Sequence, residues 1–354
     1  MPIRVLIVDD SAAMRQLLTQ ILQTDPAIEV IGTAADPYFA RDKIRALKPD
    51  VLTLDVEMPR MDGLTFLEKL MRGHPMPVVM VSSLTQQGCD VTMRALELGA
   101  VDFFPKPTMD TLQGVEGGAA QIIAKVKTAA LARVRSPDAA LKDHAAPPRP
   151  GLAGTGVAAF RLTHQIIAIG ASTGGTEAIR EILTALPADA PGIVIAQHMP
   201  PGFTASFANR LNGLCAMRVS EAKNGDRVLP GHALVAPGNL HMEIQRSGAE
   251  YTVRVFEAPT VNHHRPSIDV LFDSCAAQAG KNVTAAILTG MGDDGARGLR
   301  GLRDSGARTI AQDESTCVVY GMPKEAVRHG GAEKVLPLNR IANELLNLAL
   351  AKAA

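Results

Sequence analysis

The run Ile166-Ile167-Ala168-Ile169-Gly170-Ala171-Ser172-Thr173-Gly174-Gly175 decides how the C-terminal half of this chain is read. An apolar stretch of strand length breaks at small residues. Ala178, Ile179, Ile182, Leu183 and Leu186 then recur at helical spacing, so the segment predicts strand, sharp turn, helix. Within the turn, Gly170 to Gly174 has the form G-x-S-x-G, in which flanking glycines let a tight bend lift a serine hydroxyl clear of the backbone. Ser172 is therefore a candidate nucleophile. The competing reading is a Gly- and Ser-rich turn that cradles a phosphate on helix N–H groups.

The same alternation continues outward. Ile193 to Gln197 forms an apolar strand ending in His198-Met199-Pro200-Pro201-Gly202, before a helix with Phe203, Phe207 and Leu211. Ala285 to Thr289 ends in Gly290-Met291-Gly292-Asp293-Asp294-Gly295, before a helix with Leu299 and Leu302. Serine, histidine and acid each fall just past a strand's C-terminal end, the edge where parallel α/β sheets bind ligands. Nucleophilic hydrolysis needs a base beside the serine and a group that fixes the base's tautomer. His198 is the strongest base, with His263-His264 its rival, and Asp293 and Asp294 compete as the acid. Between these strands, Val228 to Val235 and His241 to Phe256 read as shorter strands, an antiparallel edge or an inserted hairpin.

The N-terminal half repeats the pattern. Arg4 to Val8 is bounded by Asp9-Asp10, Glu29 to Gly32 precedes a helix over 36–47, Val51 to Leu54 ends in Asp55, and Val78 to Val81 ends in Ser82-Ser83. A last strand, Val101 to Phe104, runs into Pro105-Lys106-Pro107. Such alternation predicts a parallel sheet with helices on both faces. Asp9, Asp10, Asp55, Ser82 and Lys106 then share one edge. Three converging carboxylates repel unless a cation joins them, and an all-oxygen site suits magnesium. A lysine and a serine can hold phosphate oxygens, and a carboxylate attacking phosphorus gives an aspartyl-phosphate. The plainer alternative, helix caps and solvated loop acids, does not account for five such residues on one edge.

Length and composition bound the rest. The 354 residues are long for one core, and 46% hydrophobic content supports two. Lys plus Arg (36) equals Asp plus Glu (36), which leaves no electrostatic footprint for nucleic acid or an anionic membrane. Cys89, Cys215, Cys275 and Cys317 contain no C-x-x-C pair, so reduced thiols in a cytoplasmic protein are expected. No run approaches the ~20 apolar residues of a membrane span. A helix is expected from Ala119 to about Val134, followed by a Pro-, Ala- and Gly-rich linker over 135–160. The expected division is 1–125, a helix end and linker over 126–160, and 161–354.

Two resemblances follow from these residues. Through Val8-Asp9-Asp10-Ser11, Asp55-Val56-Glu57-Met58-Pro59, Ser82 and Lys106-Pro107, the first 125 residues resemble the response-regulator receiver domain, a flavodoxin-like doubly wound fold. The resemblance implies phosphorylation of Asp55, Mg2+ held by Asp9, Asp10 and Asp55, phosphate contacts from Ser82 and Lys106, and Phe103 as the switching aromatic. Through Gly170 to Gly175, Gln197-His198-Met199-Pro200 and Leu288 to Gly295, the second half is similar to the catalytic domain of chemotaxis protein-glutamate methylesterases, a family that joins both domains in this order. That similarity selects Asp294 over Asp293. It implies a doubly wound, mostly parallel sheet and hydrolysis of glutamate methyl esters on chemoreceptors, with deamidation of certain glutamines. The implied triad is Ser172, His198 and Asp294, with backbone N–H groups of Thr173 and Met291 as oxyanion donors and no esterase cofactor. The implied partners are methyl-accepting chemoreceptors and a histidine kinase as phosphodonor, with the receiver gating the esterase. Two rivals stand beside this reading: a dinucleotide-binding enzyme, since Gly290 to Gly295 also fits G-x-G-x-x-G but lacks a clear ribose-binding acid, and a non-enzymatic switch.

Overall fold

The computed structural model describes residues 1–107, 116–134, 164–248 and 250–353. The chain divides into two compact units, Met1–Asp143 and His144–Ala354. The expected linker over 135–160 lies outside the described residues.

In the first unit, strands β1 (Ile3–Val8), β2 (Ile28–Ala34), β3 (Val51–Asp55), β4 (Val78–Ser82) and β5 (Asp102–Pro105) pair in parallel, in the order β2-β1-β3-β4-β5. Strands buried on both faces read as continuous apolar runs rather than alternating ones. Every residue of β3 and β4 is accordingly buried. Helices α1 (Ala12–Leu22), α2 (Pro37–Leu47), α3 (Gly63–Gly73), α4 (Gln86–Glu97) and α5 (Glu116–Ala130) cover the sheet. The first four have polar N-caps, Ser11, Asp36, Asp62 and Thr85, whose side chains accept orphan N–H groups and fix where each helix starts. The helix expected over 119–134 starts at Glu116 and stops at Ala130, and Val126 and Ala129 on it are buried.

The second unit holds a seven-stranded parallel sheet in the order β14-β13-β12-β6-β7-β9-β8. Its strands are β6 (Ile166–Ala171), β7 (Gly192–Gln197), β8 (Arg218–Glu221), β9 (His232–Val235), β12 (Val283–Ile287), β13 (Arg308–Gln312) and β14 (Lys334–Leu336). The helices are α6 (Gly175–Ala185), α7 (Phe203–Leu214), α8 (Ile268–Gln278), α9 (Ala296–Asp304), α10 (Met322–Arg328) and α11 (Leu338–Ala353). Ile166 and Ala168 of β6 join Ile268, Leu271 and Phe272 of α8 and Leu299 and Leu302 of α9 in one core cluster. Strand alternation sends Ile167 and Ile169 to the other face, where α6 and α11 pack over β6.

The stretch expected to form an antiparallel edge or an inserted hairpin does so only in its second part; in its first part β9 lies inside the parallel sheet, between β7 and β8. Only His232–Val235 is strand in the first part, and it pairs in parallel with β7 and β8. The antiparallel hairpin is β10 (His241–Ser247) with β11 (Glu250–Phe256). No described helix is long and apolar enough to cross a membrane. None of the four cysteines forms a disulfide.

Candidate active site

The order β12-β6-β7 sets three adjacent strands side by side, and one candidate group follows each. Ser172 follows β6, His198 follows β7, and Asp294 lies on the loop after β12. Their side chains meet. His198 Nδ1 lies 3.2 Å from Ser172 Oγ, and His198 Nε2 lies 2.8 Å from Asp294 Oδ2. The carboxylate accepts the Nε2 proton, so Nδ1 carries the lone pair facing the serine hydroxyl. Asp293 is exposed, and Gly295 rather than either aspartate caps α9. His264, the rival base, stacks its ring on His198, with centroids 3.6 Å apart and planes at 10°.

Backbone geometry fixes the nucleophile. Ser172 N–H donates to Thr289 O (3.0 Å), Gly175 N–H donates to Ser172 O (2.7 Å), and Gln197 Nε2 donates to both Ser172 O (2.9 Å) and His198 O (3.2 Å). Gln197 thus links the nucleophile's turn to the base's turn. Two glycines are required by space, and the first by conformation as well. Gly174 has φ 76°, and a Cβ there would sit 2.6 Å from Val318 Cβ; a Cβ on Gly290 would sit 2.6 Å from Ser172 Cβ. Thr173 is buried, while Met291 is about half exposed on the turn after Gly290.

Asp294 is almost fully buried, at 1% exposure. Burial alone would push its pKa up. Hydrogen bonds from His198, Asn262 and Ile268 N–H, with the attraction of the imidazole, overcome that penalty and hold the carboxyl far below the usual carboxylate range. Its Oδ1 accepts from Asn262 Nδ2 (2.8 Å), Ser267 Oγ (2.8 Å) and Asp269 N–H (3.3 Å), and its Oδ2 accepts from Ile268 N–H (2.6 Å) and His198. The N-terminus of α8 therefore aims its positive end at the triad acid. Ser267 is legible in the sequence as a helix cap just before an apolar-periodic run, but its tertiary target is not. Asn262, Gln197, Thr289 and Gln312, whose Oε1 accepts Thr289 N–H at 2.8 Å, carry no sequence signal of these roles.

A second constellation lies at the carboxyl edge of the N-terminal sheet. Carboxylate oxygens of Asp9, Asp10 and Asp55 lie within 4.8 Å of one another. Lys106 Nζ donates to Asp55 Oδ2 at 2.8 Å. Burial first, then the Asp55 charge, pushes the Asp9 pKa up to about 6. Burial likewise raises Asp55, with Lys106 pulling the other way. Asp9 Oδ1 accepts Ser11 N–H (2.9 Å), but its Oδ2 is buried without a hydrogen-bond partner. An orphaned buried carboxylate oxygen beside two further acids is the donor set a hard divalent cation takes, so these residues fit Mg2+. The Ser82 hydroxyl donates to Gly88 O (3.1 Å) and accepts from Thr92 Oγ1 (2.7 Å), so α4 holds it. Phe103 is buried, with Lys125 Nζ 5.4 Å from its ring centroid.

Comparisons with known proteins match both halves. Residues 167–345 match the CheB methylesterase family model and residues 5–116 the response regulator receiver domain model. A Pseudomonas aeruginosa protein-glutamate methylesterase/protein-glutamine glutaminase is 58% identical over 349 residues, covering 99% of this chain and 97% of the relative. One from Geobacter metallireducens is 56% identical over 348 residues, covering 97% and 95%. The crystal structure of the Thermotoga maritima CheB methylesterase catalytic domain superposes with a TM-score of 0.51 at 39% identity, covering 52% of this chain and 98% of that one. With both models matched in order and full-length relatives above half identity, the chain belongs to the CheB methylesterase family and carries a response-regulator receiver domain ahead of its esterase domain.

Proposed function

We propose that this member of the family hydrolyses glutamate methyl esters on the cytoplasmic helices of chemoreceptors, and deamidates selected glutamines there, through Ser172, His198 and Asp294. The observation that carries the reading is the continuous chain Ser172 Oγ–His198 Nδ1–His198 Nε2–Asp294 Oδ2, at 3.2 and 2.8 Å. Ser172 Oγ attacks the γ-carbonyl carbon as its proton passes to Nδ1. Collapse of the tetrahedral adduct breaks the C–O bond, and methanol leaves with that proton; for an amide the C–N bond breaks and ammonia leaves. Water then attacks the acyl-serine, gives a proton to Nδ1, and glutamate departs as Ser172 regains its hydrogen. Asp294 holds the imidazole orientation and stabilises the imidazolium. Because Ser172 N–H is committed to Thr289 O, the oxyanion donors are assigned to Thr173 and Met291 N–H.

Asp55 is the proposed phosphoacceptor, served by a chemotaxis-type histidine kinase in the cytoplasm. Asp9, Asp10 and Asp55 would hold Mg2+, which when bound neutralises charge on the transferring phosphoryl group. Lys106 balances the acceptor's charge, and Ser82 is assigned to the phosphoryl oxygens once it releases Gly88. We place the receiver at 1–125, its helix end and linker at 126–160 and the esterase at 161–354. The test is methanol release from methyl-labelled receptor membranes with and without a phosphodonor. Ser172→Ala should abolish release, and Asp55→Asn should leave release low and unresponsive; a Ser172→Ala protein that still released methanol would overturn the assignment.

A further inference from the structure

Val261 and His264 exchange both backbone hydrogen bonds, at 3.1 and 2.9 Å, and the two residues between them, Asn262 and His263, have φ of 49° and 65°. Two successive left-handed residues make a turn of the primed type, a conformation uncommon outside glycine even though asparagine and histidine adopt it more often than most residues. Such backbone strain concentrates where function over-determines it. This turn touches two members of the triad. Asn262 Nδ2 donates to Asp294 Oδ1 and to Asp269 Oδ2, both at 2.8 Å, and its Oδ1 accepts from Arg297 at 2.9 Å. At the other end of the turn, the His264 imidazole lies flat against His198.

We propose that the Val261–His264 turn is a clamp in which Asn262 positions the Asp294 carboxylate and His264 positions the His198 ring. The clamp deepens the triad reading above and rests on it. A carboxylate is free to swing about its Cβ–Cγ bond unless its oxygens are tied. One amide group that gives a proton to each of two buried carboxylates separates Asp294 from Asp269 while fixing both. A flat ring at 3.6 Å prevents the imidazole from tilting out of the plane that keeps Nδ1 on Ser172 and Nε2 on Asp294. Misplacement of a catalytic group by ~1 Å can cost about 100-fold in rate. His264 and Asn262 touch no reacting atom in this scheme, so both are positioning residues.

The test uses the full-length chain with Mg2+ and acetyl phosphate, and methyl-labelled receptor membranes as substrate. His264→Ala should lower kcat about 10- to 100-fold with KM unchanged, because ring alignment acts on the transition state and not on receptor binding. His264→Phe keeps a flat ring without a titrating nitrogen and should return kcat to within about threefold of the parent. Asn262→Gly keeps the left-handed turn, removes only the amide, and should lower kcat about 10-fold at parental KM. Parental kcat in both His264→Ala and Asn262→Gly overturns the clamp. So does His264→Phe no better than His264→Ala, which would give the imidazole a chemical role; if the alanine variant does not fold, a low kcat in a normally melting His264→Phe overturns the clamp equally. Ser172→Ala separates the two levels: activity persisting there breaks the triad itself, whereas an inactive Ser172→Ala beside fully active turn variants breaks only the clamp.

Discussion

The two sites use one piece of architecture in opposite electrostatic conditions. Each lies at the carboxyl edge of a parallel sheet, on turns from neighbouring strands, and each buries an aspartate to within 1% of full enclosure. At the esterase edge Asp294 is saturated from within: the N-terminus of α8, two side chains and the histidine satisfy it, and it stays ionised. At the receiver edge Asp9 has one satisfied oxygen and one orphan, faces two further acids, and holds its proton up to about pH 6. A self-contained charge suits chemistry that begins when substrate arrives. An under-compensated one suits a site whose activity depends on an added cation and phosphoryl group. Carboxyl edges of two parallel sheets therefore carry one proposed hydrolytic site complete in its own hydrogen bonds and one proposed switch that needs added charge, according to what fills the strand-end turns.

The comparison is sharpened most by exchanging each aspartate for asparagine. Asp294→Asn should cut methanol release about 10⁴-fold, because an amide no longer enforces the tautomer that leaves Nδ1 free for Ser172. Asp9→Asn should leave unstimulated release within about twofold, since Asp9 belongs to the proposed phosphoacceptor site and not to the triad, and remove stimulation by a phosphodonor. Equal losses in both variants would show that the sites are not separable. Gly290→Ala comes next: the added methyl meets Met322 Sδ and, at 2.6 Å, Ser172 Cβ, and a displaced nucleophile should lower kcat about 100-fold in the protein that remains folded. Chelation by EDTA should follow the same division, removing phosphodonor stimulation and leaving unstimulated hydrolysis unchanged; a drop in both would place a metal at the esterase edge.

The smallest expected effect is on pH-dependent stability, and the two acids have opposite signs. Asp9, raised above 3.8, binds a proton more tightly folded than unfolded, so its stabilisation is present below about pH 3.8 and lost as pH rises through 6. In chelator, the melting temperature of Asp9→Asn relative to the parent should therefore climb by a few degrees, roughly 2–5 °C, between pH 4 and pH 7. Asp294 is lowered, so its stabilisation is complete above 3.8 and lost only as pH falls below it. The Asp294→Asn difference should be flat over that same interval. Calorimetry across the range reads both, and a parallel slope in the two variants would contradict the contrast.

The sequence by itself determined the class of fold and the chemical groups on offer. Apolar runs ending in small or polar residues mark β1, β3, β4, β6, β7 and β12, because parallel strands buried on both faces are mostly apolar while their carboxyl-end turns carry the polar groups. Ser172, His198 and Asp294 stand at or just beyond those ends, as do Asp9, Asp55 and Ser82, and Lys106 follows β5. Other elements leave no comparable mark: β8 and β14 are short, β14 has no fully buried residue, and no local signal separates β9 from the segment before it. Only the tertiary structure decided that β12, β6 and β7 are neighbours, since strand order is set by long-range packing and not by local periodicity. It also decided that Nδ1 rather than Nε2 faces the serine, that α8 is aimed at Asp294, and that His264 lies on His198 rather than replacing it. Those facts depend on contacts between residues from 26 to 96 positions apart, and sequence spacing carries no information about orientation over such separations.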